Sequence, residues 1–266
     1  MIHMKYIFSF LIVLILAIPN LSAEQIVPSK IGIVVMHGKG GMPTIHVLEL
    51  ATSLEAKGYL VANIEMPWSK NRDYNVDVET AYKELESALN GLKSKGAQKL
   101  FVAGHSQGGL FALSAGSHVM SDGIIAIAPG GNVGNITFRE KLGGVIADAR
   151  KLIEQGNGNE KTTLFDFEGS KGKYAIKTTP SIYLSWFDPD GAMNQEKAIK
   201  KIDSNIPVLF IVPTNDYSGL LKVKQMMFDT LPKNPKTKLY EPSANHTGAP
   251  SASVEAIMQW TMSVAN

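Results

Sequence analysis

The chain of 266 residues contains no cysteine. That absence excludes disulfides, thiolate metal sites and a cysteine nucleophile together. An excess of charge of one sign is lacking too, since 26 Lys and Arg are set against 24 Asp and Glu. With no run of Lys and Arg there is no surface to track phosphates, so nucleic acid is not an expected partner. No Walker A sequence, no His-Glu-x-x-His zinc motif and no internal repeat occurs. Gly38-x-Gly40, with Glu65 at the end of the next strand, supplies half of a dinucleotide fingerprint. Pro43 stands where the third glycine would let a helix pack on a pyrophosphate, so that reading fails. Neither a metal nor a cofactor is expected.

Long hydrophobic runs are also scarce. Tyr6 to Ile18 is almost wholly apolar, but it is short of the roughly 18 residues a membrane-spanning helix needs. It follows the positive charge of Lys5, is broken by Pro19 and Asn20, and precedes Leu21-Ser22-Ala23. These features read as a signal peptide cleaved after Ala23, giving a periplasmic or secreted chain with no stable membrane anchor.

What is present suits one large globular domain over 24–266, with 44% hydrophobic residues. Apolar runs predict strands at Ile31 to Met36, Tyr59 to Ile64, Leu100 to Ala103, Gly123 to Ala128, Pro207 to Val212 and Lys238 to Glu241. Between them, helical spacing predicts helices from Ile45 or His46 to Lys57, Val78 to Leu92, Gln107 to Val119, Leu220 to Leu231 and Val254 to Val264. This alternation predicts an α/β fold, a mostly parallel sheet with helices on both faces. Residues 131–205 interrupt the alternation and are read as an inserted lid, with a helix from about Thr137 to Ile153.

Leu100 to Gly109 carries the chemistry. A buried strand runs directly into a helix through Gly104-His105-Ser106-Gln107-Gly108, the G-x-S-x-G pattern of a nucleophile elbow. The sharp turn lifts the Ser106 hydroxyl out of the sheet, and the first amide of the helix, that of Gln107, faces an oxyanion formed above it. A serine nucleophile needs a base, and an acid to hold that base.

Of the six histidines, His3 leaves with the signal. His37 sits in a loop where backbone bonding is its ordinary role, His46 opens a flanking helix, and His105 is expected on the opposite side of its strand. His118 lies roughly 18 Å down the helix from the serine. His246, in a loop just after a late strand, remains as the base. Asp216 follows the fifth strand at the carboxyl end of the sheet and is read as the acid, with Asp188 and Asp190 as competitors. The order Ser106, Asp216, His246 is that of nucleophile, acid and base in hydrolases built on an elbow.

His37-Gly38-Lys39-Gly40-Gly41 after the first strand is expected to supply the second oxyanion donor. The Lys39 amide is the first candidate and Gly40 the alternative, with the Lys39 side chain solvated. Trp68, Trp186 and Phe187, with Tyr183, are candidate substrate-binding aromatics. Arg72 is a candidate anion binder or a solvated loop residue.

On these motifs the chain resembles the α/β-hydrolases over essentially its whole mature length. It is particularly similar to bacterial exported hydrolases of unassigned substrate that share His-Gly-Lys-Gly-Gly, Glu-Met-Pro-Trp-Ser, Gly-His-Ser-x-Gly and Phe-Asp-Pro-Asp-Gly. The resemblance implies the fold and the three triad positions but not the substrate; the leading expectation is a serine hydrolase acting on a small-molecule acyl substrate, most readily a carboxylic ester. Acyl transfer on the same residues, or binding without catalysis, are the alternatives this fold hosts.

Overall fold

The computed structural model describes residues 25–169 and 171–266. The expected signal sequence and its cleavage point lie outside the described residues. Along the chain the elements are β1 (Ile31–Met36), α1 (Leu48–Ala56), β2 (Leu60–Ile64), α2 (Val78–Ser94), β3 (Lys99–His105), α3 (Gln107–Ala115) and β4 (Gly123–Ile127). They continue with α4 (Ile136–Glu154), β5 (Thr162–Glu168), β6 (Gly172–Thr178), α5 (Pro180–Phe187) and α6 (Gln195–Lys200). The chain closes with β7 (Val208–Ile211), α7 (Ser218–Thr230), β8 (Lys238–Tyr240), α8 (Ala249–Ala252) and α9 (Val254–Ala265).

Six strands form one parallel sheet in the order β2-β1-β3-β4-β7-β8. Its strands are apolar at successive positions because both faces are covered. Ile31, Ile33 and Val35 of β1 point to one face with Phe101, Ala103, Ile125 and Ile127, where Leu50 and Leu54 of α1 and Ile257 and Trp260 of α9 pack on them. Val34 and Met36 point to the other with Val102, Ile124 and Ala126, under Leu85 and Leu89 of α2 and Leu110 and Leu113 of α3. Each such aliphatic side chain contributes about 1.5–3 kcal/mol by leaving water.

β1 lies between β2 and β3, so the first crossover leaves β1 in one direction and the return to β3 lands on its other side. Loops at the carboxyl ends of β1 and β3 diverge there and open a crevice, the usual ligand position in such sheets. The loop after β1 is His37 to Gly41, and the turn after β3 is Ser106.

Two helices differ from the sequence expectation. α1 starts at Leu48, because His46 has φ 62°, a left-handed conformation that cannot continue a helix. α3 stops at Ala115, before Gly116. Within 131–205 the chain adds the β5–β6 antiparallel hairpin, which the sequence reading did not contain. Phe138, Leu142, Leu164, Ile176, Trp186 and Phe187 of this segment join the core cluster of α2 and α3, so the segment is packed into the body of the molecule.

Candidate active site

Ser106 has φ 57° and ψ −117°, a strained conformation for a residue with a side chain. The glycines around it make that turn possible. A Cβ on Gly104 would lie 2.0 Å from the Gly108 oxygen, and a Cβ on Gly108 would lie 2.7 Å from the carbonyl oxygens of Met36 and His37. Gly104 thus clears the turn itself, while Gly108 clears the neighbouring β1 loop. The Ser106 amide donates to Ile127 O at 2.9 Å, and the Ser106 oxygen accepts from Gly130 N at 3.0 Å, so the strained residue is tied to β4 and the loop beyond it. α3 begins at Gln107, and the amides of a helix's first turn have no partner within the helix.

The candidate acid and base meet through sheet register. Beyond β7 and β8 the chains stay paired, with Asn215 N donating to Ala244 O at 3.1 Å and a parallel bridge between Asn215 and Asn245. Their successors, Asp216 and His246, are thereby brought side by side. His246 Nδ1 lies 2.9 and 3.0 Å from the two carboxylate oxygens of Asp216, so Nδ1 carries the proton and donates it. The Asp216 side chain is fully buried, and Oδ1 also accepts from Tyr217 N at 2.6 Å. Asp188 and Asp190 serve elsewhere: Asp188 pairs with Arg150 at 3.1 Å and Asp190 with Lys197 at 2.9 Å.

In the loop after β1, His37 is fully buried and bonded on both ring nitrogens. Nε2 accepts from Met66 N at 3.0 Å, so Nδ1 bears the proton and donates to Gly38 O at 2.8 Å. Burial pushes the His37 pKa down, which suits a neutral ring with one donor and one acceptor. Gly40 N donates to Trp68 O at 2.9 Å, which removes the Gly40 amide as an oxyanion donor. No acceptor among the described residues takes the Lys39 N–H.

The Lys39 side chain is not solvated as expected. Its ammonium is held 2.7 Å from the buried Asp166 carboxylate and 3.2 Å from Phe167 O. Arg72 is likewise structural, making a two-pronged pair with Glu84 at 2.7 Å in each arm and donating to Glu65 O at 2.9 Å.

Ser106, His246, Gln107 and Lys39 all lie on the wall of one cavity of about 590 Å³. Phe138, Phe167, Asn132, Asn135, Lys171 and Tyr217 complete much of its lining, so the segment 131–205 forms one side. Trp68, Trp186 and Phe187 are not on this wall; they are buried in the core behind it, at 1%, 2% and 2% exposure. Trp68 instead donates Nε1–H to His37 O at 3.0 Å, and Trp186 donates to Val76 O at 2.8 Å. Tyr183 is buried and donates to Phe165 O at 2.7 Å.

Two histidines assigned elsewhere are on the wall. His46 is exposed there in its left-handed conformation, and His105 turns toward His246, with ring centroids 4.9 Å apart. His105 continues the alternation of Phe101 and Ala103 onto the sheet face covered by α1 and α9, and the His246 loop lies against it there. His118 stacks on Tyr82 at 4.0 Å, away from the cavity. Among the described residues no three His, Asp or Glu side chains converge as a metal site requires, and no helix is long and apolar enough to cross a membrane.

No family model and no curated protein matches the chain in sequence. Solved structures do match. A monoacylglycerol lipase of Paleococcus ferrophilus is 21% identical with a TM-score of 0.62, over 90% of this chain and 96% of its own. A highly thermostable carboxyl esterase of Bacillus coagulans, in complex with glycerol, is 16% identical with a TM-score of 0.61, over 88% of this chain and 90% of its own. The α/β-hydrolase GrgF of a Penicillium species is 13% identical with a TM-score of 0.65, over 88% of each chain. With its parallel sheet, its elbow at the end of β3 and its cavity over the switch point, the chain has the α/β-hydrolase fold.

Proposed function

We propose that the chain is a serine hydrolase that cleaves an acyl bond, with a carboxylic ester as its substrate. The observation that carries this reading is the convergence of Ser106, on its strained elbow, and the Asp216-held ring of His246 on one cavity. With Nδ1 donating to Asp216, Nε2 of His246 is the nitrogen left to accept a proton.

In the mechanism, Ser106 Oγ attacks the ester carbonyl as its proton passes to His246 Nε2. The carbonyl π electrons move to oxygen, and the Gln107 and Lys39 amides stabilise that oxyanion. Collapse of the tetrahedral intermediate expels the alcohol, which takes the proton from His246 and leaves the acyl group on Ser106. Water, deprotonated by His246, then attacks the acyl-enzyme; collapse of the second tetrahedral intermediate releases the carboxylic acid as Ser106 Oγ takes the proton from His246, and the acid ionises in solvent. Base, acid and electrophilic stabilisation all come from the protein, so the mechanism calls for no metal.

The neighbours named as a lipase and an esterase support ester cleavage. The cavity mixes Phe138 and Phe167 with Asn132, Asn135 and Lys171, a lining suited to a compact ester with both apolar and polar parts. Tyr6 to Ile18 and the small residues before Glu24 support export to the periplasm or the medium.

The test is a graded panel of p-nitrophenyl esters, from acetate to palmitate, with and without a chelator. We expect turnover, greatest for the short esters and indifferent to the chelator. No turnover of any ester by folded protein, or turnover that one specific metal restores after chelation, contradicts the reading.

A further inference from the structure

The inserted hairpin holds a carboxylate that the hydrolytic mechanism does not use. Asp166, in β5, is 0% exposed. Its Oδ1 accepts from Lys39 Nζ at 2.7 Å and from Phe167 N at 2.6 Å. Its Oδ2 accepts from the hydroxyls of Tyr74 at 3.0 Å and Tyr174 at 2.8 Å. A buried charge this fully bonded is costly to build and costly to break, because removing one partner leaves the others unmatched.

The network has a direction. Tyr74 has one hydroxyl proton and donates it to Asp166, so its oxygen accepts from Gln107 Nε2 at 3.2 Å. The side chains of Lys39 and Gln107 therefore converge on the same carboxylate, one directly and one through Tyr74. They are the residues whose main-chain amides flank the crevice between β1 and β3.

The linking residue is itself clamped. Asp73 and Tyr74 have φ 47° and 56°, conformations that persist only where the surroundings enforce them. β6 supplies the enforcement: Thr178 Oγ1 donates to Tyr74 O, and Lys177 N donates to the Asp73 carboxylate, each at 2.7 Å.

We propose that Asp166 is a positioning residue that sets the separation of the two oxyanion-binding amides, holding that of Lys39 by its ion pair and that of Gln107 through Tyr74. This rests on the serine-hydrolase reading. It makes the inserted hairpin part of the catalytic geometry, although no atom of Asp166 reaches the substrate. Donors to an oxyanion contribute in proportion to their aim, and a misplacement of about 1 Å costs up to roughly a hundredfold in rate.

The experiment compares the purified wild type with Tyr74→Phe, Asp166→Asn and Ser106→Ala on p-nitrophenyl acetate, with thermal unfolding followed by circular dichroism. Tyr74→Phe keeps the ring and its packing and removes only the link. It is expected to remain folded, to lower kcat about tenfold and to leave KM within about twofold, the pattern of an interaction made in the transition state. Asp166→Asn is expected to lower kcat further, toward a hundredfold; if that variant does not fold, Tyr74→Phe alone decides. Wild-type kcat in folded Tyr74→Phe, or a change confined to KM, overturns the proposal. Hydrolysis by Ser106→Ala equal to that of the wild type overturns the serine-hydrolase reading instead, and the proposal with it.

Discussion

His105 donates its Nε2 proton to the main-chain oxygen of His246 at 2.9 Å, since a carbonyl can only accept. The other ring nitrogen, Nδ1, is buried without a hydrogen-bond partner among the described residues. Protonating it would place a charge in a dry site beside the rings of His246, His46 and His37. Burial first, and those rings second, push the His105 pKa down to about 3. The elbow motif thus contributes a second histidine that pins the loop of the candidate base.

Stability should therefore depend on this ring. The folded pKa lies below the ordinary value of 6.5, so between those two values the unfolded chain binds the extra proton. Stability from this group is complete above about pH 6.5 and falls as pH drops toward 3, by up to about 1.4 kcal/mol per pH unit. His37, whose pKa is also lowered by burial, acts in the same sense. Urea unfolding of wild type and His105→Gln at pH 7 and pH 4 checks this. The stability difference between them should shrink by roughly 3 kcal/mol at the lower pH; an unchanged difference contradicts it.

Gly104→Ala should be among the most damaging single substitutions in the chain. The new Cβ would meet the Gly108 oxygen at 2.0 Å, backbone against backbone, with no side chain to swing away. A loss of about 4 kcal/mol or more is expected, with insoluble or unfolded protein as its simplest sign. Gly143→Ala in α4, where a Cβ meets nothing within 4 Å, is the control and should be neutral or slightly stabilising.

The parts legible in sequence are those fixed by local rules. Apolar runs such as Ile31–Met36 must be buried strands, and a serine between Gly104 and Gly108 at a strand–helix junction has one steric solution. The hairpin was hidden because Asp166 occupies an inward position of β5, breaking the alternation that would mark Thr162–Glu168 as a strand. Gly169 and Gly172 flanking the turn were the available signal. Trp68, Trp186 and Phe187 lie in the core and not on the cavity wall, a distinction that composition does not carry and burial in three dimensions does. The Lys39 side chain was misread for a related reason, its partner lying 127 residues away in that same hairpin.

Trp68→Phe should separate packing from hydrogen bonding in the oxyanion loop. Phe keeps most of the apolar contact but deletes the Nε1 donor, leaving the buried His37 oxygen without that partner. We expect a stability loss of about 1–3 kcal/mol. A fall in kcat should accompany it, because the Gly40 amide binds the carbonyl of the same tryptophan. Thermal unfolding and steady-state kinetics on one ester check both; an unchanged kcat would show that this loop tolerates movement.

Asp216→Asn should preserve the fold and lower kcat by about 10⁴-fold, because an amide favours the wrong imidazole tautomer. Asp188→Asn, which loses only an exposed pair with Arg150, should stay near wild type. Should Asp188→Asn be the inactive variant and Asp216→Asn the active one, the acid has been misassigned.

The most direct measurement is labelling by a fluorophosphonate, which reacts with serines activated by a neighbouring base. Mass spectrometry of the treated wild type should place a single phosphonyl adduct on Ser106, with none in Ser106→Ala and a strongly slowed reaction in Asp216→Asn. Folded wild type that takes up no label, or labels equally after Ser106→Ala, contradicts a nucleophilic serine at the elbow.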